Sequence, residues 1–88
     1  MDSWGMGEYL LRASQQVEQL RRQTKLAQRS AAESFEKSAD SHDRIAKSYE
    51  KLAELGEGDE YVERAARHRA FAHEDRQIAE RLRRMAED

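Results

Sequence analysis

The chain has 88 residues, of which 38% are hydrophobic and 39% charged, with a net charge of −2, no cysteine and no proline. It holds no run of about 18 apolar residues to span a membrane, and no thiol for a disulfide, a thiolate metal centre or a cysteine nucleophile. The absence of proline, with only four glycines, argues against a turn-rich β fold, and a chain this short forms one small domain with much of its surface wet.

Residues 1–7 read as an N-terminal segment ahead of the first helix. Trp4, Met6 and Tyr9, followed by Leu10 and Leu11, make a dense apolar cluster beside Gly5 and Gly7. Such a cluster either caps the end of a bundle or anchors in a partner's groove, where Trp and Tyr are enriched. No basic stretch leads into an apolar one, so a secretory signal is not expected, and the expected location is the cytoplasm.

Residues 8–55 read as one continuous helix, about 73 Å long at 1.5 Å per residue. Leu10, Val17, Thr24, Ala31, Ser38, Ile45 and Leu52 form a column at spacing seven. Ala13, Leu20, Ala27, Ser34, Ser41, Ser48 and Leu55 form its companion. The two make a coiled-coil heptad frame, weak in the middle where serine replaces leucine. A neighbouring column of Ala32, Ala39, Ala46 and Ala53 compensates, flanked by Phe35, His42 and Tyr49.

Gly56-Glu57-Gly58-Asp59 is the one strong internal breaker and is expected to form the loop. Gly56 is placed to take the left-handed conformation that ends a helix, and Asp59 to cap the next one. The second helix is expected over 60–86. It carries its own alanine column, Ala65, Ala72, Ala79 and Ala86. A shift of 33 residues sets this column on the first and sets Ile45 on Ile78. Eight acid–base pairs at (i, i+4) mark solvated helix surface: Glu8–Arg12, Glu18–Arg22, Glu33–Lys37, Asp40–Arg44, Asp43–Lys47, Glu60–Arg64, Glu63–Arg67 and Glu80–Arg84.

The expected fold is therefore all-α, an antiparallel helical hairpin with a long first helix and an alanine-lined seam. The second helix is long enough to cover only about residues 29–55 of the first. Leu10, Leu11, Val17, Leu20 and Leu26 are left over, and each large aliphatic side chain left in water forfeits about 1.5–3 kcal/mol. Two solutions cover them within this sequence. In the preferred one, two chains form a dimeric helical bundle through Leu10, Val17, Leu20 and Ala27. In the alternative, the chain breaks near Ser30, where Ser30-Ala31-Ala32-Glu33 fits a capping box, and folds as a monomeric three-helix bundle. A different protein is a third source of cover.

Few residues point to chemistry. Antiparallel pairing places position i near 114 − i, which brings His42 close to Ala72 and within a turn of His68 and Asp75. These three are the candidates for a metal site, but no His has the Glu-x-x-His spacing of di-iron bundles and HExxH is absent. A polar layer that fixes helix register is the favoured reading, with no cofactor. No glycine-rich phosphate loop or strained nucleophile elbow is present, so catalysis is not expected. Arg21, Arg22, Lys25 and Arg29 form a basic cluster that could lie along a nucleic-acid backbone, although the net charge counts against it.

The runs SHDRIAKSYEKLAE, GEGDEY and AARHRAFAHEDRQIAERLRRMA resemble small α-helical proteins of actinobacteria, mycobacteria included, over about residues 38–87. That group has no assigned activities, so the resemblance implies a helical fold and carries over no functional residue. The size is also similar to the small secreted WXG-type hairpins. Those place Trp-x-Gly in the interhelical turn, whereas here Trp4 and Gly5 are adjacent and N-terminal. The sequence thus points to a non-enzymatic interaction module, with a nucleic-acid accessory protein and a metal-binding bundle as alternatives.

Overall fold

The computed structural model describes residues 3–56 and 58–88, with side chains from Gly5 onward. It is an all-helical hairpin of two elements, α1 (Ser3–Glu54) and α2 (Asp59–Glu87). The molecule is 83 Å long and only 16 × 13 Å across, close to the ~78 Å that 52 residues span as one straight helix.

The helices begin and end where backbone chemistry allows. α1 starts at Ser3, inside the segment 1–7 expected to precede it. Gly5 and Gly7 each cost a helix interior about 0.5–1 kcal/mol relative to alanine, too little to stop propagation when no proline intervenes. At the other end the last turn tightens. The Leu55 amide donates to the carbonyls of both Lys51 and Leu52, and the Gly56 amide to that of Ala53. Gly56 then takes φ +83°, the left-handed conformation expected of it. Gly58, at φ +101°, occupies the N-cap of α2 without a side-chain cap bond. Asp59 is therefore not the cap. It lies in the first turn with Glu60, where both carboxylates face the positive end of the helix dipole.

No break occurs near Ser30. The helix runs through it, and the Ser30 carbonyl accepts a bond from Ser34 Oγ at 3.2 Å. A capping box needs a non-helical N-cap residue, and the unbroken heptad phase gives the backbone no reason to leave the helix there. The three-helix alternative is thereby replaced by the two-helix hairpin.

The seam between the helices is the alanine column, not the heptad frame read first along α1. Ala32, Ala39 and Ala46 of α1 and Ala65, Ala72, Ala79 and Ala86 of α2 are the buried apolar residues, with Ala39 at 0% exposure. No larger side chain is fully buried among the described residues. Methyl groups at spacing seven let the two backbones approach closely, as small residues do at tight helix crossings. The rings of Phe35, His42, Tyr49, Tyr61 and His68 lie half-buried beside them. Cross-helix partners have residue numbers that add to 110–119, around the expected 114.

Candidate interaction face

The two sides of the seam differ in chemistry. On one, arginines of α2 at spacing seven meet carboxylates of α1 at spacing seven. Arg69 donates to Asp43 at 3.1 Å and to Glu50 at 2.7 Å. Arg76 donates to Asp40 at 3.1 Å and to Asp43 at 2.6 Å. Arg83 grips Glu36 with two bonds, 2.6 and 3.0 Å, the bidentate geometry suited to guanidinium and carboxylate. The hydrogen bond from Arg83 holds the Glu36 carboxyl below its ordinary range. That from Arg76, aided by Arg69, does the same to Asp43. Glu50, Asp43 and Glu36 in turn raise Arg69, Arg76 and Arg83 respectively. This ladder closes one edge of the hairpin.

It also redirects charges expected to pair within one helix. Glu8–Arg12, Glu33–Lys37, Glu60–Arg64 and Glu80–Arg84 do pair along the helix. Asp40 and Asp43 instead turn across to α2, where each meets a guanidinium fork. The ladder was readable in the sequence: 36, 43 and 50, and 69, 76 and 83, are both seven-residue series, but only local (i, i+4) spacing was weighed.

The opposite side carries rings and apolar groups. Tyr49 stacks on Tyr61 and His68 with centroids 5.8 Å away, and Phe71 lies 5.3 Å from His42. Arg64 covers both tyrosine faces at 5.8 Å, a cation–π contact. Phe71 and Met85 are exposed, as are Ile45 and Leu52 of α1. Phe71 and Met85, spaced fourteen apart, run beside the alanine column of α2 in the sequence, and their exposure is a property of the packed hairpin.

His42, His68 and Asp75 do come together. His42 Nδ1 and His68 Nδ1 share a hydrogen bond of 2.8 Å, one ring donating and the other accepting. His42 Nε2 lies 4.0 Å from Asp75 Oδ2, too long for the hydrogen bond expected between them. Asp75 Oδ2 is shielded from solvent without a partner. Because His68 and Asp75 meet opposite nitrogens of His42, one ion cannot bind all three here, and no three-residue metal-ligating group exists among the described residues. The arrangement is a polar layer that links the two helices.

Beyond α2, the first half of α1 stands alone. Leu10, Val17 and Leu20 are 59, 49 and 61% exposed, and Ala27 is exposed beside them. Met6 and Tyr9 are exposed as well. The third candidate anchor side chain, that of Trp4, lies outside the described residues. Near the end of α2 a shallow groove is lined by Val17, Leu20, Thr24, Gln28 and Met85, so Met85 faces the same side as the exposed stripe. Arg21, Arg22, Lys25 and Arg29 fall within about 100° of the helix circumference and make no ion pair within 4.0 Å among the described residues. No helix there is long and apolar enough to cross a membrane. Compared with protein families, curated proteins and solved structures, the chain shows no match.

Proposed function

We propose that this protein is a non-enzymatic, cytoplasmic interaction module that self-associates through the N-terminal half of α1, forming a homodimeric coiled-coil bundle that presents helical surface to a protein partner. The observation that carries this reading is the unsupported half-helix. About 25 residues of α1 extend past α2, carrying Leu10, Val17, Leu20 and Ala27 on one stripe. Most helical stability in proteins comes from packing an apolar face rather than from propensity, and each of the three large side chains gains about 1.5–3 kcal/mol when covered. Tyr9 and Met6 at the same end supply the kind of side chain that anchors binding partners.

Placing charge in the apolar stripe tests this. Val17→Asp combined with Leu20→Asp leaves the α1–α2 seam untouched and places two carboxylates in the self-association face. Sedimentation equilibrium is expected to give twice the chain mass for the parent protein and the single-chain mass for the variant, with hairpin helicity kept in circular dichroism. Equal masses for the two proteins would refute the reading.

A second reading has one observation in its favour, the unpaired basic face of Arg21, Arg22, Lys25 and Arg29. Used on a phosphate backbone, four cations give log K a slope of about −3.6 against log salt for duplex DNA. Binding without that slope, or none at 50 mM salt, would exclude it.

A further inference from the structure

The exposed stripe of the N-terminal half does not stop where α2 begins. Continued at spacings of three and four, it passes Ala31, Ser34, Ser38 and Ser41 and reaches Ile45, Ser48, Leu52 and Leu55. It is the heptad frame read from the sequence, and α2 does not use it. α2 packs on the alanine column one residue further along, about 100° round the helix. Ile45, Leu52 and Leu55 consequently remain 40, 37 and 77% exposed. α1 thus has two adjacent seams, one filled by α2 and one exposed toward both ends, with Ala31, Ser38 and Ser41 half-buried between them.

The open seam is self-complementary. Its large residues lie at the two ends and its small ones at the centre. An antiparallel second copy, with paired residue numbers adding to 65, sets Leu10 on Leu55, Ala13 on Leu52 and Leu20 on Ile45. The same register sets Thr24 on Ser41, Ala27 on Ser38 and Ala31 on Ser34. Leu10–Leu55 and Leu20–Ile45 set large side chains on each other, Ala13–Leu52 and Val17–Ser48 set a large one on a small one, and small residues meet at the middle. A shift of one heptad in either direction leaves Leu10 or Leu55 without an apolar partner. The central Ser34 suits burial, since its Oγ already donates to the Ser30 carbonyl of its own helix, as Ser48 Oγ nearer the end does to that of Arg44.

Area favours the same register. Residues 10–55 span about 69 Å, and a contact strip about 10 Å wide along them covers ~700 Å² per copy, near the ~800 Å² typical of specific dimers. Pairing only the two overhanging halves would cover about half of that, from ~37 Å of helix. The two-fold axis also places each α2 on the same side of the α1 pair. The exposed Phe71 and Met85 of one copy then border the groove that the other copy's α1 enters.

We propose, resting on the self-association reading, that the second copy of this chain docks antiparallel along the whole open seam of α1. The N-terminal half of each α1 then lies against the hairpin of its partner. The chain has no cysteine, so single thiols report the register directly. Gln16→Cys and Lys51→Cys introduce exposed thiols beside the seam, adjacent across the interface in this register. Two copies of residue 16 would lie ~50 Å apart along the axis.

The two variants are mixed, allowed to exchange and treated with a short bis-maleimide. The proposal expects a dominant Gln16→Cys/Lys51→Cys cross-linked product. A Gln16→Cys homoproduct would overturn the register in favour of overhang-only or parallel pairing, while leaving self-association standing. A Lys51→Cys homoproduct, or no cross-link in a dimeric sample, would also overturn it. A single-chain mass for the untreated parent protein would overturn both the register and the self-association reading.

Discussion

Alanine 39 shows how this hairpin is held together. Its methyl group has no exposed surface, and the opposing backbone comes close because nothing larger stands there. Ala39→Leu is therefore expected to destabilise through overpacking, by about 1–3 kcal/mol. At 1 kcal/mol a chain of this size loses ~4–8 °C in melting temperature. Thermal unfolding at matched protein concentration checks this, and an unchanged or raised midpoint would mean the seam is looser than described. The alanine column was plain in the sequence by its spacing. The alanine-lined seam expected from that spacing is the one α2 uses, and the leucine-bearing column beside it lies outside that seam. Close approach over about six turns favours the alanine column, because three large residues at one end of a stripe cannot compensate for a poorly filled middle.

Asp43 and Glu36 give a second residue-scale expectation, with a definite sign. Arginine bonds depress both carboxyls in the folded state. The stability they contribute is present above the ordinary carboxylate range and is lost as pH falls through their lowered values, below pH ~4. Asp43→Asn is expected to flatten that acid limb and to leave stability at neutral pH less dependent on salt. An identical acid limb in parent and variant would show that the ladder contributes nothing measurable, a real outcome for exposed pairs.

At the scale of elements, the loop and the start of α1 carry opposite glycine effects. Gly56 sits at φ +83° with open space around it, so Gly56→Ala is strained by backbone conformation alone and is expected to cost about 1 kcal/mol. Gly7 lies within α1, again with nothing within 4 Å. Gly7→Ala is expected to stabilise by about 0.5–1 kcal/mol, seen as a gain in helical circular dichroism. A gain at Gly56 or a loss at Gly7 would place the helix ends elsewhere. The loop was legible because Gly56 is the first glycine after Gly7, at the end of a long helical pattern. The start of α1 was not, because two glycines within three residues look like a boundary when only propensity is weighed. The helix continues through them because about 0.5–1 kcal/mol per glycine is too little to stop it where no proline intervenes. Asp59 was misplaced by one residue for a similar reason: Gly58, at φ +101°, takes the cap without any side chain.

The polar layer was legible in part. His42, His68 and Asp75 were placed together by antiparallel arithmetic alone, and they do meet. Their roles were not, since which ring nitrogen faces which neighbour depends on rotamers that spacing does not encode. The Nδ1–Nδ1 bond takes His42 toward His68 and leaves Asp75 Oδ2 shielded at 4.0 Å from the other nitrogen.

For the whole molecule, the governing fact is the mismatch in length. α1 has 52 residues and α2 has 29, so close to half of α1 has no partner within the chain. One edge of the hairpin is closed by arginine–carboxylate bonds, and the other offers Ile45, Leu52, Phe71 and Met85 to solvent. The proposed second copy would answer both features at once. The most direct test is the solution mass from light scattering on a sizing column, measured over a range of concentrations. The account predicts a stable mass of twice 10.3 kDa that persists on dilution, whereas a single-chain mass at every concentration would contradict it.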